Sequence, residues 1–261
     1  MALTGDGKRV AFLAGGEGGR DPIITLGDQV IETAGWVVRW PLAMTDDAGV
    51  VACQLTQATS EKACIAKNGQ RGETFDAVGT PVLSADGKVV AYRAQLGGCH
   101  FVVVGDRKQP TFDFVKDPAL SPDGKHFAYA AARGNRWLLV VDTIERSLDA
   151  EPVDVFIGPD HRFVGWSYLE PSASGGSKAR VVVGDRLGEP FDLVGRPSFS
   201  PDGSRFAYFA ERGDRRYIVV GERTVEVTGQ LSNPVFCRDG TQLGYGARIG
   251  RELWWKVLSC P

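Results

Sequence analysis

The 261-residue sequence has few of the residues that catalytic and metal sites need. It contains three histidines, His100, His126 and His161, and no two of them have the spacing of metal ligands. It has only three asparagines, which disfavours a calcium site built from asparagine and acidic side chains. It also lacks a nucleophile motif of the form G-x-S-x-G. We therefore expect no catalytic residue, no metal site and no cofactor, and a non-catalytic protein is the favoured interpretation.

Long apolar runs and an excess of charge are also missing. No stretch reaches 18 consecutive apolar residues, so no membrane-spanning helix is expected. The net charge is −2, which gives no reason to expect binding to nucleic acid or to membranes. The first residues, MALTGDGKRVAF, contain no basic and apolar signal segment. We expect either a cytoplasmic protein or a mature or trimmed chain.

Cysteine is present in an odd number, five, and so does not decide the redox compartment. Cys53 and Cys64 fall on the predicted second and third strands of one hairpin, at positions that can face each other. Two alternatives stay open, a disulfide bond or two buried thiols that act as small apolar residues.

Helical patterning is absent, whereas an internal repeat is present. With 33 glycines and 14 prolines spread along the chain, no window has the period of a helix, and we expect an all-β fold. A motif around a turn aspartate recurs at steps of 37 to 42 residues, which predicts a repeat architecture. The seven copies are LTGDGKRVAF from Leu3, MTDDAGVVAC from Met44, LSADGKVVAY from Leu83, LSPDGKHFAY from Leu120, IGPDHRFVGW from Ile157, FSPDGSRFAY from Phe199 and FCRDGTQLGY from Phe236.

Each copy predicts a four-stranded antiparallel meander. In SPDGK, proline and aspartate favour a turn, and glycine takes the left-handed position that closes a hairpin loop. Strands such as FVVVGD are apolar on both faces, as expected for sheets that pack face to face between neighbours. Seven copies across residues 1–261 predict a single domain, a seven-bladed β-propeller of four-stranded blades.

Two sets of acidic residues recur with the repeat. The first set is interpreted as turn caps, one for each blade, and consists of Asp6, Asp47, Asp86, Asp123, Asp160, Asp202 and Asp239. The second set is predicted on the outermost, fourth strand, in segments such as TFDAV and PFDLV, where charge discourages edge pairing. Its members are Glu32, Asp76, Asp113, Asp154, Asp192 and Glu226.

The last repeat predicts an incomplete blade. Its final segment, RELWWKVLSCP, has the pattern of a third strand, and no fourth strand follows it in the sequence. Trp254 and Trp255 are then expected on an exposed edge strand, which is prone to pairing. We expect further chain, a partner or a second copy to cover this edge, and we predict self-association through the two tryptophans as one outcome.

The repeat also resembles a known family. LSPDGKHFAY and FSPDGSRFAY resemble the SPDGK-type, WD-repeat-like propeller repeats of TolB and its relatives, which also occur in the propeller domains of prolyl-oligopeptidase-type enzymes. The resemblance covers the whole chain, although the fifth copy has His161 where glycine is expected and the second copy shifts its glycine to Gly49. It implies a β-propeller fold, a protein-binding role and a periplasmic or secreted location.

Two groups of residues are candidates for a ligand-binding site. Arginines recur in the loops between the second and third strands, which are predicted on one rim, while acidic residues collect on the opposite rim. Arginine suits bidentate capture of carboxylates or phosphates, and the alternative is a set of solvated loops with neighbouring counter-charges. Residues before the blade-entry prolines are predicted to ring the channel mouth. The predicted ligand-binding residues are Arg133, Arg212 and Arg248 in the loops, and Trp40, Asp117, Arg196 and Asn233 at the mouth.

The sequence thus predicts a non-catalytic propeller, a scaffold that binds a protein or peptide, with an anionic segment or ligand as the candidate partner. One alternative is a propeller enzyme of the lactonase or esterase type, or the detached propeller half of a prolyl-oligopeptidase-type hydrolase. Another alternative is a structural repeat protein or engineered fragment without a ligand.

Overall fold

The protein is all-β. A computed structural model describes residues 2–3, 10–14, 23–26, 29–32, 35–45, 49–57, 59–60, 62–159, 164–172 and 175–259, with the backbone alone for residues 2–32 and for Trp40. No described residue lies in a helix, and so the described chain has no helix that could span a membrane. The described strands form seven antiparallel sheets, in agreement with seven predicted repeats. The chain divides into two compact units, Met1–Glu145 and Arg146–Pro261.

The first four sheets begin in the first unit and are numbered in chain order. Sheet 1 consists of β1 (Ala2–Leu3), β2 (Val10–Ala14), β3 (Ile23–Leu26) and β4 (Gln29–Glu32). Sheet 2 consists of β5 (Trp36–Met44), β6 (Val51–Gln57), β7 (Ala63–Lys67) and β8 (Gln70–Phe75). Sheet 3 consists of β9 (Ala77–Val78), β10 (Val82–Leu83), β11 (Val90–Leu96), β12 (Cys99–Val104) and β13 (Arg107–Lys108). Sheet 4 consists of β14 (Phe114–Val115), β15 (Ala119–Leu120), β16 (Phe127–Arg133), β17 (Arg136–Val141) and β18 (Ile144–Leu148).

The second unit contains sheets 5 to 7. Sheet 5 consists of β19 (Pro152–Ile157), β20 (Val164–Pro171), β21 (Ser177–Val183) and β22 (Arg186–Leu187). Sheet 6 consists of β23 (Leu193–Val194), β24 (Ser198–Phe199), β25 (Phe206–Arg212), β26 (Arg215–Val220) and β27 (Arg223–Val227). Sheet 7 consists of β28 (Gln230–Leu231), β29 (Val235–Phe236), β30 (Gln242–Ile249) and β31 (Glu252–Ser259).

The first strand of a sheet is split into two short segments in sheets 3, 4, 6 and 7. In sheet 4, β14 and β15 both pair with β16, and Pro118 stands between them. Proline has no N–H to give to a ladder and holds the preceding residue extended, so it interrupts the strand without changing its direction. The prolines therefore mark the middle of the first strand.

Apolar side chains on both faces of the strands pack against neighbouring sheets, as the sequence pattern predicts. The rings of Phe75, at the end of sheet 2, and Tyr92, in sheet 3, lie 6.1 Å apart edge to face. Phe112 and Tyr129 repeat this contact at the same distance. Burial raises the pKa of Tyr92 and of Tyr129 to about 12, because a charged phenolate is poorly solvated there. The core is thus built between sheets rather than at one centre.

The turn aspartates cap their turns, as the sequence predicts, together with a buried serine. Asp123 Oδ1 accepts hydrogen bonds from Ser121 Oγ at 2.6 Å and from the Lys125 N–H at 3.1 Å, while Ser121 Oγ accepts the His126 N–H at 3.0 Å. The same contacts recur at Ser84 and Asp86, at Ser200 and Asp202, and at Cys237 and Asp239. Asp6, Asp47 and Asp160 lie outside the described residues.

The predicted fourth strands TFDAV and PFDLV are wrong as single strands. Phe75 pairs with Ala63 in sheet 2, whereas Ala77–Val78 already pairs with β11 of sheet 3. The aspartate between them lies at the crossover, so it sits at no outer edge. Asp113 and Asp192 also lie at crossovers, because the phenylalanine before each pairs with the preceding sheet and the strand after each pairs with the next sheet. Asp154 is a further correction, since it lies in the first strand of sheet 5, while Glu32 and Glu226 lie in fourth strands as predicted.

The crossover aspartates bind the next sheet. The Gly97 N–H donates to Asp76 Oδ2 at 2.7 Å, and the Gly213 N–H donates to Asp192 Oδ2 at the same distance. The Gly134 N–H donates to Asp113 at 2.6 Å. Each glycine lies at the tip of the hairpin between the second and third strands, so these bonds tie each crossover to the loop that follows it.

Sheet 7 is incomplete in the way that the sequence predicts. β28 and β29 pair with one edge of β30, and β31 pairs with the other edge. No strand of the described chain pairs with the outer edge of β31, so this strand has the position of a third strand without a fourth.

Candidate functional site

Asp117 and Arg196, two of the residues before the blade-entry prolines, each have an oppositely charged neighbour within their own unit. In the first unit, Arg93 Nε donates to Asp117 Oδ1 at 2.7 Å, beside Gly79, where any Cβ would overlap the Asp117 carboxylate. In the second unit, Arg196 Nε lies 3.3 Å from Asp154 Oδ2. Two of the predicted mouth residues are therefore charged groups with a partner of opposite sign.

The other two mouth residues are less constrained by described contacts. Asn233 Oδ1 lies close beside Gly195, where a Cβ would meet it. Trp40 lies in β5, and its side chain is outside the described part of the structure. The predicted role of all four residues in binding stays a prediction.

Two of the three predicted loop arginines are occupied by contacts within the fold. Arg133 makes two hydrogen bonds to the carboxylate of Glu145, at 2.8 and 3.0 Å, and its guanidinium lies 4.8 Å from the centre of the Phe112 ring. Arg212 repeats the arrangement, 2.7 Å from Glu189 and 4.6 Å from the centre of the Phe191 ring. These contacts favour the alternative of solvated loops with neighbouring counter-charges for this pair.

Arg248 does not occupy the equivalent position. Arg133 and Arg212 are the last residues of their strands, and each pairs with the first residue of the strand that follows. In sheet 7 the last residue of the equivalent strand is Ile249. Because side chains alternate along a strand, Arg248 points to the other face of its sheet. Its predicted role stays a prediction.

An arginine-lined cleft in the second unit was missed by the sequence analysis. It has a volume of about 460 Å³ and is lined by residues of sheets 5, 6 and 7, with Arg186, Arg205 and Arg223 as its charged groups. Its apolar walls include Phe206, Val220, Val225 and Leu258, and its hydroxyl groups are those of Ser204 and Ser259. We call this site the arginine cleft.

The local structure of the turns positions the three arginines. The Ser200–Asp202 turn orders the backbone of Ser204 and Arg205, because Asp202 accepts the Ser204 N–H and Ser200 Oγ accepts the Arg205 N–H. Arg205 Nη1 also donates to the Gly240 carbonyl at 3.3 Å. Arg223 begins β27 directly after the tight turn at Gly221, whose φ is +57°. The cleft is therefore built on turns whose geometry is fixed by hydrogen bonds.

The charge of the arginine cleft is positive. No aspartate or glutamate is among its described lining residues. Arg186 lies 3.2 Å from Glu222, but both side chains are well exposed, so this ion pair is weak. In the described chain no ion pair involves Arg223. The guanidinium groups of Arg186 and Arg223 thus offer planar donors to a carboxylate or phosphate, next to an apolar wall.

The cleft lies on the side of the sheets where the sequence analysis predicted an acidic rim. The acidic residues of the turns between third and fourth strands led to that prediction, but in three of these turns an arginine follows the acidic residue. The signal is GDR at 184–186 and GER at 221–223, with GDR also at 105–107. At this side of sheets 5 to 7, arginines therefore stand beside the acidic residues that led to the prediction of an acidic rim.

The two candidate disulfide cysteines are free thiols. Cys53 lies opposite Ala66, and Cys64 lies opposite Leu55, so the two residues are diagonal rather than directly paired. Both are buried in one apolar cluster, and burial raises the pKa of the Cys53 thiol to about 12. The alternative of two buried thiols is the one found. Among the described residues no three histidine, cysteine or acidic side chains group closely enough to hold a metal ion.

Comparison with known proteins shows the fold and leaves the family open. No family model matches the chain, and no curated protein matches it. The β-propeller domain of the trilobed protease from Pyrococcus furiosus, described as having an open velcro topology, is 11% identical, with a TM-score of 0.53 over 86% of this chain and 81% of that domain. A structure of two prolyl endopeptidases is 14% identical, with a TM-score of 0.54 over 99% of this chain and 49% of that chain. TolB from Acinetobacter baumannii is 12% identical, with a TM-score of 0.44 over 96% of this chain and 76% of that chain.

The likeness to the Pyrococcus furiosus domain shows a β-propeller fold, as the sequence predicts. The chain spans about half the length of the prolyl endopeptidases that it matches. The finer predictions, a TolB-like family and WD-type repeats, stay predictions.

Proposed function

We propose that this protein is a non-catalytic binding module of the β-propeller class, and that it binds an anionic ligand or an acidic protein segment in the arginine cleft. The observation that carries the proposal is the convergence of Arg186, Arg205 and Arg223 on one cavity of about 460 Å³ without an acidic lining residue in the described chain. A rigid sheet scaffold that presents binding groups on turns is the common arrangement of such modules.

The chemistry of the cleft favours a ligand with both charge and apolar surface. A guanidinium binds a carboxylate or phosphate through two parallel hydrogen bonds, and charge-assisted bonds of this kind are the stronger ones. Val225 and Leu258 give the apolar body of the ligand a surface to contact. A glutamate-rich or aspartate-rich peptide segment and a small organic polyanion both have this combination.

The test is a calorimetric titration with citrate and with inorganic phosphate at low ionic strength. We expect binding that weakens as salt is added, because salt screens exposed charges. Arg223→Gln is expected to weaken citrate binding about tenfold, which corresponds to about 1.4 kcal/mol for one lost charge-assisted contact.

Arg215→Gln is the matched control. Arg215 begins β26 and lies in the same unit, while the cleft residue Val220 ends that strand. At about 3.3 Å for each residue, the two ends are roughly 17 Å apart, so this change is expected to leave binding unaltered. Equal effects of both variants, or no binding of either anion, would contradict the proposal and favour a structural repeat without a ligand.

A second candidate is a propeller that serves a hydrolytic domain. The chain covers 49% of the prolyl endopeptidases, and it matches them over 99% of its own length. This candidate predicts that the purified chain has no peptidase activity alone and restores activity when mixed with a separately produced hydrolase domain. The binding module predicts no such restoration.

A further inference from the structure

The outer edge of β31 is an unpaired strand with exposed apolar side chains. Leu253 is 84% exposed and Trp255 is 66% exposed, and Val257 on the same face is also exposed. β30 has Gly244 and Gly246 at the positions opposite Val257 and Trp255, so no side chain lies directly opposite these two residues, while Arg248 lies opposite Leu253. Soluble proteins rarely leave a flat apolar edge of this kind unprotected.

The backbone of β31 is ready to extend the sheet. Both backbone hydrogen bonds of Gly246 are made with Ser232. The Gly246 N–H donates to Ser232 Oγ, and the Gly246 carbonyl accepts the Ser232 N–H, each at 2.9 Å. Trp255 lies opposite Gly246 and therefore exchanges no hydrogen bonds with it. By the alternation of antiparallel ladders, Leu253, Trp255 and Val257 direct their N–H and C=O groups away from β30.

The opposite face of β31 carries one charge of each sign around a tryptophan. Trp254 Nε1 donates to Glu252 Oε2 at 3.1 Å, and Lys256 Nζ lies 5.1 Å from the centre of a Trp254 ring. Along this face the side chains are therefore, in sequence order, negative, aromatic and positive. A strand with this order is complementary to an antiparallel copy of itself.

We propose that β31 pairs with β31 of a second copy of this chain, in an antiparallel register centred on Trp254. This register places Glu252 opposite Lys256 of the second copy, and the reverse pair follows by two-fold symmetry. It places Leu253 opposite Trp255 of the second copy, where both residues direct their peptide groups outward and can exchange hydrogen bonds. A register centred on Trp255 leaves Glu252 opposite Leu258, so charge selects the first register.

The experiment is sedimentation velocity of the purified chain over a wide range of concentration. The wild type is expected to sediment as a species of twice the 28.2 kDa chain mass at high concentration. Glu252→Lys places like charges opposite each other twice in the dimer and is expected to raise the dissociation constant at least tenfold. The double variant Glu252→Lys with Lys256→Glu restores opposite pairs and is expected to restore dimerisation.

Glu226→Lys is the control, because it makes the same charge change on β27, an exposed outer strand of the same unit. Circular dichroism of each variant confirms that the fold is retained. The proposal is overturned by a monomer at every concentration, by a dimer that Glu252→Lys leaves intact, or by a double variant that stays monomeric. Because none of these variants changes an arginine of the cleft, the result is independent of the proposed anion binding.

Discussion

At the scale of single residues, the buried turn serine and its aspartate act as one hydrogen-bonded unit. Ser200 has no exposed surface, and its hydroxyl donates to Asp202 Oδ1 at 2.6 Å while it accepts the Arg205 N–H at 3.0 Å. The sequence predicts the aspartate as the cap, because aspartate in turns has a known conformational preference. The serine was overlooked, since burial of a hydroxyl is decided by the neighbouring sheet. In the last repeat Cys237 takes the serine position and donates to Asp239 at 2.8 Å.

These turns predict a loss of stability in acid. Hydrogen bonds lower the pKa of Asp202 to about 2, chiefly from Ser200, and the pKa of Asp239 to about 2, chiefly from Cys237. Unfolding removes these bonds and returns each carboxyl to about 3.8. Stability from the turns is therefore fully present above about pH 4 and is lost as the pH falls towards 2. Urea midpoints measured from pH 7 down to that range test this expectation.

Asp202→Asn separates this effect from general acid denaturation. Asparagine keeps an acceptor oxygen but does not titrate, so the variant is expected to lose less stability between pH 4 and pH 2 than the wild type. Asp214→Asn, at an exposed hairpin residue without a described hydrogen bond, is the control and is expected to follow the wild type. An identical acid profile for all three proteins would show that the turn carboxylate makes no contribution.

At the scale of elements, the presence of a strand could be predicted better than the sheet to which it belongs. TFDAV has apolar residues on both sides of its aspartate, so the local pattern cannot show that the chain changes sheets at Asp76. The structure shows the change because Phe75 pairs with β7 of sheet 2, whereas Val78 pairs with β11 of sheet 3. Membership of a sheet depends on long-range pairing, which a local pattern does not contain.

In the second strand of sheet 5, close packing leaves no room for a side chain at one position. Gly165 in β20 has the place that alanine has in β11, β16 and β25, and a Cβ there would overlap the Val182 carbonyl oxygen and the Phe156 ring. Gly165→Ala is expected to lower the free energy of unfolding by about 2 kcal/mol, as overpacking of tight interiors does. Urea denaturation followed by circular dichroism measures the change.

Gly246→Ala is the matched control for this prediction. Gly246 also lies in a second strand, but the nearest atom to an added Cβ is Ser232 Oγ at 3.2 Å, the end of a small side chain. The control is expected to keep the stability of the wild type or to raise it slightly, because alanine restricts the unfolded chain more than glycine does. Equal losses in both variants would mean that glycine is needed for another reason.

At the scale of the whole molecule, the repeat predicted the number of sheets, while the arginine cleft was beyond the sequence analysis. Seven turn motifs gave seven sheets because each motif is a local signal with its own hairpin. The cleft combines Arg186 of sheet 5, Arg223 of sheet 6 and Leu258 of sheet 7. The repeat places Arg186 and Arg223 at equivalent positions of neighbouring sheets, but no spacing in the sequence brings Leu258 beside them, since that proximity follows from how the sheets pack.

The sequence predicts one domain over residues 1–261, and this prediction has a thermodynamic consequence. A single domain unfolds in one cooperative transition that all probes report at the same urea concentration. Hydrogen-exchange mass spectrometry across the transition follows peptides of Met1–Glu145 and of Arg146–Pro261 separately. We expect one common midpoint for the two sets of peptides. Separate midpoints would divide the chain into two domains at Glu145.

The crossover aspartates determine the boundaries at which segments can be exchanged between repeats of this protein. Asp113 precedes the strands of sheet 4 in the chain, yet its carboxylate accepts the Gly134 N–H at the tip of that sheet's hairpin. A segment exchanged between two repeats therefore needs to begin before the aspartate and not at the first strand. Grafts that begin before the aspartate keep the hydrogen bond between its carboxylate and the hairpin glycine. The loop residues on either side of that glycine can then be redesigned.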